Sequence, residues 1–322
     1  MKKRILITGI AGFIGFHVAH HLKSRGDFVV GIDNFNSYYD PLLKRRRCER
    51  LAGIEIHTAD ICDRQLLCTL LNQHQITHVV HLAAQAGVRH SLHAPDDYIS
   101  SNLQGFVSLL EACRTHPDLK LIYASSSSVY GLNRKIPFAV EDQTDHPVNL
   151  YGATKKANEL MAHAYHHLYG LHVTGLRYFT VYGPWGRPDM AYFRFAQKIC
   201  SRQPIQLFNE GKMRRDFTYI DDIVRGTTAA IDLGASCEVF NLGNSKPVDL
   251  LVFVELLEQA LGIKAIKEMF PMQMGEVVET YADVAKSQDL LGFHPKVPLE
   301  EGINHFVEWY RSYPSCFLHC SL

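Results

Sequence analysis

The chain has 322 residues, more than one hydrophobic core usually serves, so a large domain with a smaller one attached is the first expectation. Hydrophobic residues make up 47% and charged residues 20%, the composition of a globular protein, and no run of ~18 uninterrupted apolar residues marks a membrane span. Lys+Arg and Asp+Glu balance at 33 each, leaving no global field to draw nucleic acid or an anionic membrane surface.

The cysteines at 48, 62, 68, 113, 200, 237, 316 and 320 form no CxxC pair, and are expected to be reduced thiols, mostly in buried packing. Met1-Lys2-Lys3-Arg4 ahead of an apolar stretch imitates a secretory leader, but Gly9, Gly12 and Gly15 interrupt that stretch, so a cytoplasmic protein is expected.

Short β-rich runs alternate with helical stretches through the first half. Strands are expected at 4–8, 28–32, 54–57, 78–82, 120–124 and 172–178. Helices are expected at 14–25, 64–74, 102–116 and 153–169, lengths that suit right-handed crossovers. The alternation implies an α/β fold, a Rossmann-type doubly wound parallel sheet. Beyond Val181 the rhythm changes: Gly183-Pro184-Trp185-Gly186-Arg187-Pro188 opens a region of mixed elements, with a turn at Gly243-Asn244 and a last helix near 300–310. The expected division is a Rossmann domain over 1–180, with later segments near 216–246 returning to it, and a smaller C-terminal α/β domain over 181–322. A cleft should lie between them.

The segment from Ile5 to Gly15 reads as a strand, a glycine-paced turn and a helix. Gly9 permits the tight turn, Gly12 lets the backbone approach a pyrophosphate, and Gly15 lets the helix pack closely, while the helix N-terminus favours the anion. Asp33, at the end of the second strand, is placed to accept from an adenosine ribose and to repel a 2′-phosphate, which favours NAD over NADP. Lys44-Arg45-Arg46-Arg47 could hold a 2′-phosphate, but such a run reads better as a solvated helix face. Asp60 and Ile61 are placed to meet the adenine, and the small residues of Leu82-Ala83-Ala84 let backbone line the cofactor. Phe13, Ile14, Asn34, Gln85 and Tyr178 complete the expected cofactor surface.

Tyr151 and Lys155 stand four apart at the start of a helix, so they share a face. Lowering a tyrosine pKa from near 10 to about 7 takes roughly 4 kcal/mol. One ammonium at ~4 Å supplies about that at an effective dielectric of ~20. Tyr151 can then act as a base toward a sugar hydroxyl. Upstream, the hydroxyls of Ser125-Ser126-Ser127-Ser128 sit at the carboxyl end of the fifth strand, where one should bind the reacting oxygen.

These motifs carry a resemblance. The chain resembles the extended short-chain dehydrogenase/reductase enzymes acting on nucleotide sugars, and most closely the UDP-glucuronate 4-epimerases. The match runs through TGIAGFIG at 8–15, AAQAGVR at 83–89, ASSSSVYG at 124–131, YGATK at 151–155, RYFTVYGPWGRPDMA at 177–191 and RRDFTYIDD at 214–222. It implies that Ser126 is the catalytic hydroxyl, that Tyr151 is the acid/base, and that Lys155 tunes it and holds the nicotinamide ribose. It further implies that Arg215 meets the diphosphate, that Glu276 meets the nucleotide ribose, and that the 181–322 region takes the nucleotide sugar. Gln273 and Met274 depart from the pattern, which has an arginine and a proline there.

Epimerisation, dehydration and decarboxylation share a first oxidation at C4 to a 4-keto sugar. The related dehydratases carry Asp-Glu, and the decarboxylases Glu, where this chain has Ser127 and Ser128. Without that acid elimination loses its general acid, so epimerisation is expected. The resemblance assigns Thr180 and Arg187 to the C5 carboxylate, a natural bidentate partner for guanidinium, and so points to UDP-glucuronate. Arg89 is either a further substrate contact or a structural ion-pair partner. C4 epimerisation of UDP-glucose or UDP-N-acetylglucosamine, and decarboxylation of UDP-glucuronate, remain open.

His163 and His167 share a helical face, but Ala164 replaces the glutamate of a metalloprotease motif, and no metal is expected. A non-catalytic NAD-binding module is the contrasting class; retention of Ser126, Tyr151 and Lys155 speaks against it. By the resemblance, a homodimer is expected on the 102–116 and 153–169 helices.

Overall fold

The computed structural model describes residues 2–313. Six strands come first: β1 (Arg4–Thr8), β2 (Phe28–Asp33), β3 (Glu55–Thr58), β4 (His78–His81), β5 (Lys120–Ser126) and β6 (His172–Tyr178). Six more follow: β7 (Thr180–Tyr182), β8 (Ile205–Phe208), β9 (Arg214–Tyr219), β10 (Cys237–Leu242), β11 (Pro247–Asp249) and β12 (Lys267–Phe270). Strands β1 to β6 with β10 make one seven-stranded parallel sheet in the order β10-β6-β5-β4-β1-β2-β3. The fold is therefore α/β with a Rossmann-type doubly wound sheet, and its core strands are buried almost throughout because helices cover both faces. Strands β11, β9 and β7 form a small second sheet, and β12 pairs with β8.

The helices are α1 (Phe13–Ser24), α2 (Pro41–Glu49), α3 (Arg64–Gln73), α4 (Pro95–Tyr98), α5 (Gly105–Cys113), α6 (Leu150–Tyr169), α7 (Ala191–Cys200), α8 (Ile220–Leu233), α9 (Leu250–Leu261), α10 (Ala285–Leu291) and α11 (Leu299–Ser312). None is long and apolar enough to cross a membrane. The chain order reverses between β4 and β1, and there the register aligns Thr8 with both Ile32 and His81. Gly9, Asp33 and Leu82 consequently leave the sheet side by side, at the crevice where such folds bind ligands.

Three expectations need correcting. Lys44 and Arg47 do not lie on a solvated face: they are 5% and 0% exposed, because α2 packs between the glycine turn and the 184–187 loop, whose carbonyls need donors. Of the six described cysteines only Cys113 is buried, while Cys48, Cys62, Cys68 and Cys237 are half-buried and Cys200 is exposed; Cys316 and Cys320 lie outside the described residues. The expected 102–116 helix begins earlier, in α4, and passes through a π-helical stretch, Ile99–Gln104, before α5 ends at Cys113. The π stretch turns Asn102 inward, where its amide accepts from Gln85 N (2.8 Å) and donates to Gln85 O (3.0 Å) and Thr154 Oγ1 (3.0 Å).

Candidate active site

The glycine turn is built as a cradle. Gly9 has φ +72°, and a Cβ there would lie 2.7 Å from the Ala83 nitrogen; one on Gly15 would lie 2.1 Å from the Gly9 oxygen. At Gly12 the nearest atom, the Gly9 oxygen, is 3.0 Å from such a Cβ, and beyond it the cleft is open. The Asp33 carboxylate accepts from Ala11 N (3.1 Å) and Phe35 N (2.9 Å), with the Lys44 ammonium at 3.5 Å. Asp60 accepts from Cys62 N (2.9 Å) and Asn34 Nδ2 (2.8 Å). Burial works against the charge of Asp60, but these hydrogen bonds outweigh it and hold the carboxyl below its usual range.

The cleft holds about 1500 Å³, and every residue singled out from the sequence for cofactor, chemistry or substrate lies on its wall. Ser126 ends β5 and caps the 3-10 turn Ser127–Tyr130, accepting from Ser128 N at 3.2 Å. The turn is held from beneath by a buried pair. Arg177 donates to Glu159 (2.8 and 2.9 Å), which also accepts from the Ser125 hydroxyl (2.6 Å). Asn149 caps α6 by accepting from Gly152 N at 2.8 Å, presenting Tyr151 in the first turn.

Burial raises the pKa of Tyr151; a hydrogen bond with Ser126 and the charge of Arg187 oppose it. Lys155 is 2% exposed and donates to Ala124 O at 2.9 Å, and burial pushes its pKa down to about 8.

At the far end, Glu276 is bridged by two arginines, Arg215 Nη2 at 3.3 Å and Arg89 Nε at 3.5 Å. Arg89 thus both lines the cleft and serves as an ion-pair partner, and its guanidinium stacks 4.7 Å from the Phe208 ring centroid. Gln273 Oε1 is enclosed without a hydrogen-bond partner among the described residues, and Met274 is 83% exposed. Away from the cleft, Glu55, His57 and His74 meet at the sheet edge, where His57 Nε2 lies 2.8 Å from Glu55.

A sequence model of the NAD dependent epimerase/dehydratase family matches residues 5–243. The chain belongs to that family. It is 50% identical over 331 residues to UDP-glucuronate 4-epimerase 4 of Arabidopsis thaliana, covering 97% of this chain and 76% of the plant protein. It is 52% identical over 313 residues to an uncharacterised Methanocaldococcus jannaschii protein, with 96% of each covered. Among solved structures, the UDP-glucuronic acid 4-epimerase of Bacillus cereus, in complex with UDP-glucuronic acid and NAD, superposes with a TM-score of 0.90. It is 37% identical and covers 96% of this chain and 99% of that one. The cofactor is NAD, and the glycine cradle with Asp33 at its side fits it.

Members of this family are read from their motifs, and several residues here escape that reading. Asp189 ion-pairs with Arg187, and Tyr38 donates to Asp189 at 3.0 Å; Arg194 and Lys198 add cations to the same wall. Asp189 stands inside the RPDM run, where the resemblance assigns it no role. Tyr38 and Arg194 sit in stretches with no pattern of their own, and only the folded chain brings them to the cleft.

Proposed function

We propose that the protein inverts C4 of UDP-glucuronate, interconverting it with UDP-galacturonate through a 4-keto sugar. The observation that carries this reading is one cleft wall bearing Tyr151, Ser126, Thr180 and Arg187, with serines in place of a carboxylic acid at 127 and 128. The plant and Bacillus relatives, named for that reaction, support it.

NAD, when bound, supplies reversible oxidation at C4. Tyr151 takes the proton of the C4 hydroxyl and later returns it, while Ser126 holds the C4 oxygen through both steps. Lys155, one helical turn beyond Tyr151, would hold the nicotinamide ribose. Gly9, Gly12 and Gly15 with the N-terminus of α1 would hold the pyrophosphate, and Asp33 the adenosine ribose. Arg215, Arg89 and Glu276 hold the substrate's nucleotide diphosphate end. Thr180 and Arg187 hold the C5 carboxylate, and Ser127 and Ser128 offer hydroxyls to the sugar without an acid to drive elimination.

In this reading the Rossmann domain covers 1–180, and the 216–246 segment returns to it, as the pairing of β10 with β6 supports. The remainder of 181–322 binds the nucleotide sugar. The protein acts as a homodimer through α5 and α6, whose Val107, Leu160, Leu168 and Tyr169 are exposed apolar side chains. Six unpaired cysteines among the described residues suit a reducing, cytoplasmic setting.

The test is proton NMR of purified protein with UDP-glucuronate and no added cofactor. UDP-galacturonate is expected; UDP-xylose or a 4-keto pentose would make it a decarboxylase, and turnover of UDP-glucose or UDP-N-acetylglucosamine alone would overturn the carboxylate assignment.

A further inference from the structure

Arg187 meets an internal carboxylate before it meets any substrate. Its Nε donates to Asp189 Oδ1 at 3.0 Å and its Nη2 to Asp189 Oδ2 at 2.5 Å, while Nη2 also donates to Ala86 O. The Tyr38 hydroxyl donates to the same Asp189 Oδ2 at 3.0 Å. The Nη1 hydrogens have no partner among the described residues, and Arg187 and Asp189 side chains are only 21% and 13% exposed. One bidentate edge of the guanidinium and the second Nη2 hydrogen are thus taken by the protein, and the Nη1 hydrogens remain for a ligand. Burial opposes the charge on Asp189, but Arg187 and Tyr38 hold its carboxyl below the usual range, so the pair is ionised and neutral in sum.

We propose that Asp189 tunes Arg187, limiting how tightly it grips the sugar's C5 carboxylate so that the 4-keto ring can turn over within the cleft. The inference rests on the uronate reading given above. An epimerase must present both faces of C4 to the same cofactor surface, so its contacts with the sugar have to be released or carried along in every turnover. An uncompensated, partly buried guanidinium would hold a carboxylate as a full ion pair, stabilising one orientation and slowing the turn. With Asp189 on its other edge, Arg187 offers a directed hydrogen-bond donor attached to a neutral pair. Orientation and selectivity for a carboxylate are kept, and the well is shallower. Tyr38 sets the balance: by donating to Asp189 it draws negative charge from that carboxylate and leaves more of the Arg187 charge for the substrate.

Asp189→Asn and Tyr38→Phe therefore move the grip in opposite directions. The measurement is the ratio of affinities for UDP-glucuronate and UDP-xylose, which lacks the carboxylate, by titration calorimetry, together with kcat and KM for UDP-glucuronate. In Asp189→Asn the ratio is expected to rise about tenfold, with KM and kcat falling together, the signature of a ground state bound too well. In Tyr38→Phe, which keeps the ring in place, the ratio is expected to fall severalfold with KM rising, and UDP-xylose affinity stays as in the wild type. A ratio that falls in Asp189→Asn, as it would if the aspartate merely propped the arginine, overturns the proposal. So does a ratio unchanged in Tyr38→Phe, which also decides the matter should the asparagine variant not fold. Wild-type protein that shows no preference for UDP-glucuronate over UDP-xylose would instead overturn the uronate reading itself.

Discussion

Arg47 in α2 donates twice to the Trp185 carbonyl, at 3.0 and 2.7 Å, across 138 residues of sequence. It also donates to Gly186 O (3.1 Å), Ala11 O (2.8 Å) and Tyr39 Oη (2.7 Å), and it is fully buried. One side chain therefore ties the glycine turn to the loop that carries Arg187. Replacing it by methionine keeps the apolar stem and leaves three carbonyls without their donor. The expected cost is about 2–4 kcal/mol in urea unfolding, with KM for the sugar nucleotide rising as the 185–187 loop loosens. Unchanged stability would show that water replaces the guanidinium freely.

Lys155 is a buried ammonium whose pKa is lowered to about 8 by desolvation. Its unfolded value is near 10.4, so between those two values the unfolded chain binds the extra proton and stability rises with pH. Lys155→Met removes that titration. The stability difference, variant minus wild type, should decrease by up to roughly 3 kcal/mol as pH rises from about 7 to 10.5. Thermal unfolding across that range checks it, and a difference that stays constant would contradict the buried-ammonium assignment. The variant should lose activity at every pH.

Arg187 lowers the pKa of Tyr151 against the effect of burial. In Arg187→Ala the tyrosine ionises at higher pH, so the rising limb of the kcat/KM profile with UDP-glucuronate should shift to higher pH. A 4-keto uronic acid is a β-keto acid that loses carbon dioxide readily. Released from Arg187, a larger share should leave as a 4-keto pentose, visible by NMR. An unchanged profile with an unchanged product would remove Arg187 from both roles.

Leu160 and Leu168 on α6 are 60% and 65% exposed, and Val107 on α5 is 37% exposed. Leu160→Glu places a charge in the middle of that surface and should convert a dimer to a monomer in sedimentation velocity, with the fold intact by circular dichroism. Wild-type protein sedimenting as a monomer would refute the dimer directly.

Much of this was legible because the relevant constraints are local. Gly9, Gly12, Gly15 and Asp33 fall within one strand–turn–helix–strand unit, and Tyr151 and Lys155 are one helical turn apart. The first six strands follow from periodicity alone, their ends differing by one or two residues. What stayed hidden depends on contacts between distant segments. A run such as Lys44-Arg45-Arg46-Arg47 reads as solvated until Trp185 and Gly186 are seen to need its donors. The π stretch that turns Asn102 onto Gln85 has no local signal, because helical propensity does not distinguish one extra residue in a turn. The partners of Arg187 were hidden for the same reason: Asp189 lies inside a named motif, but Tyr38 reaches it from 151 residues away.

The most direct measurement is conversion of UDP-glucuronate carrying deuterium at C4, by purified protein with no added cofactor, in ordinary water. If C4 is oxidised and reduced again within one closed cleft, the UDP-galacturonate formed should retain deuterium at C4. Product that has lost the label to solvent, or no UDP-galacturonate at all, would contradict C4 epimerisation by transient oxidation.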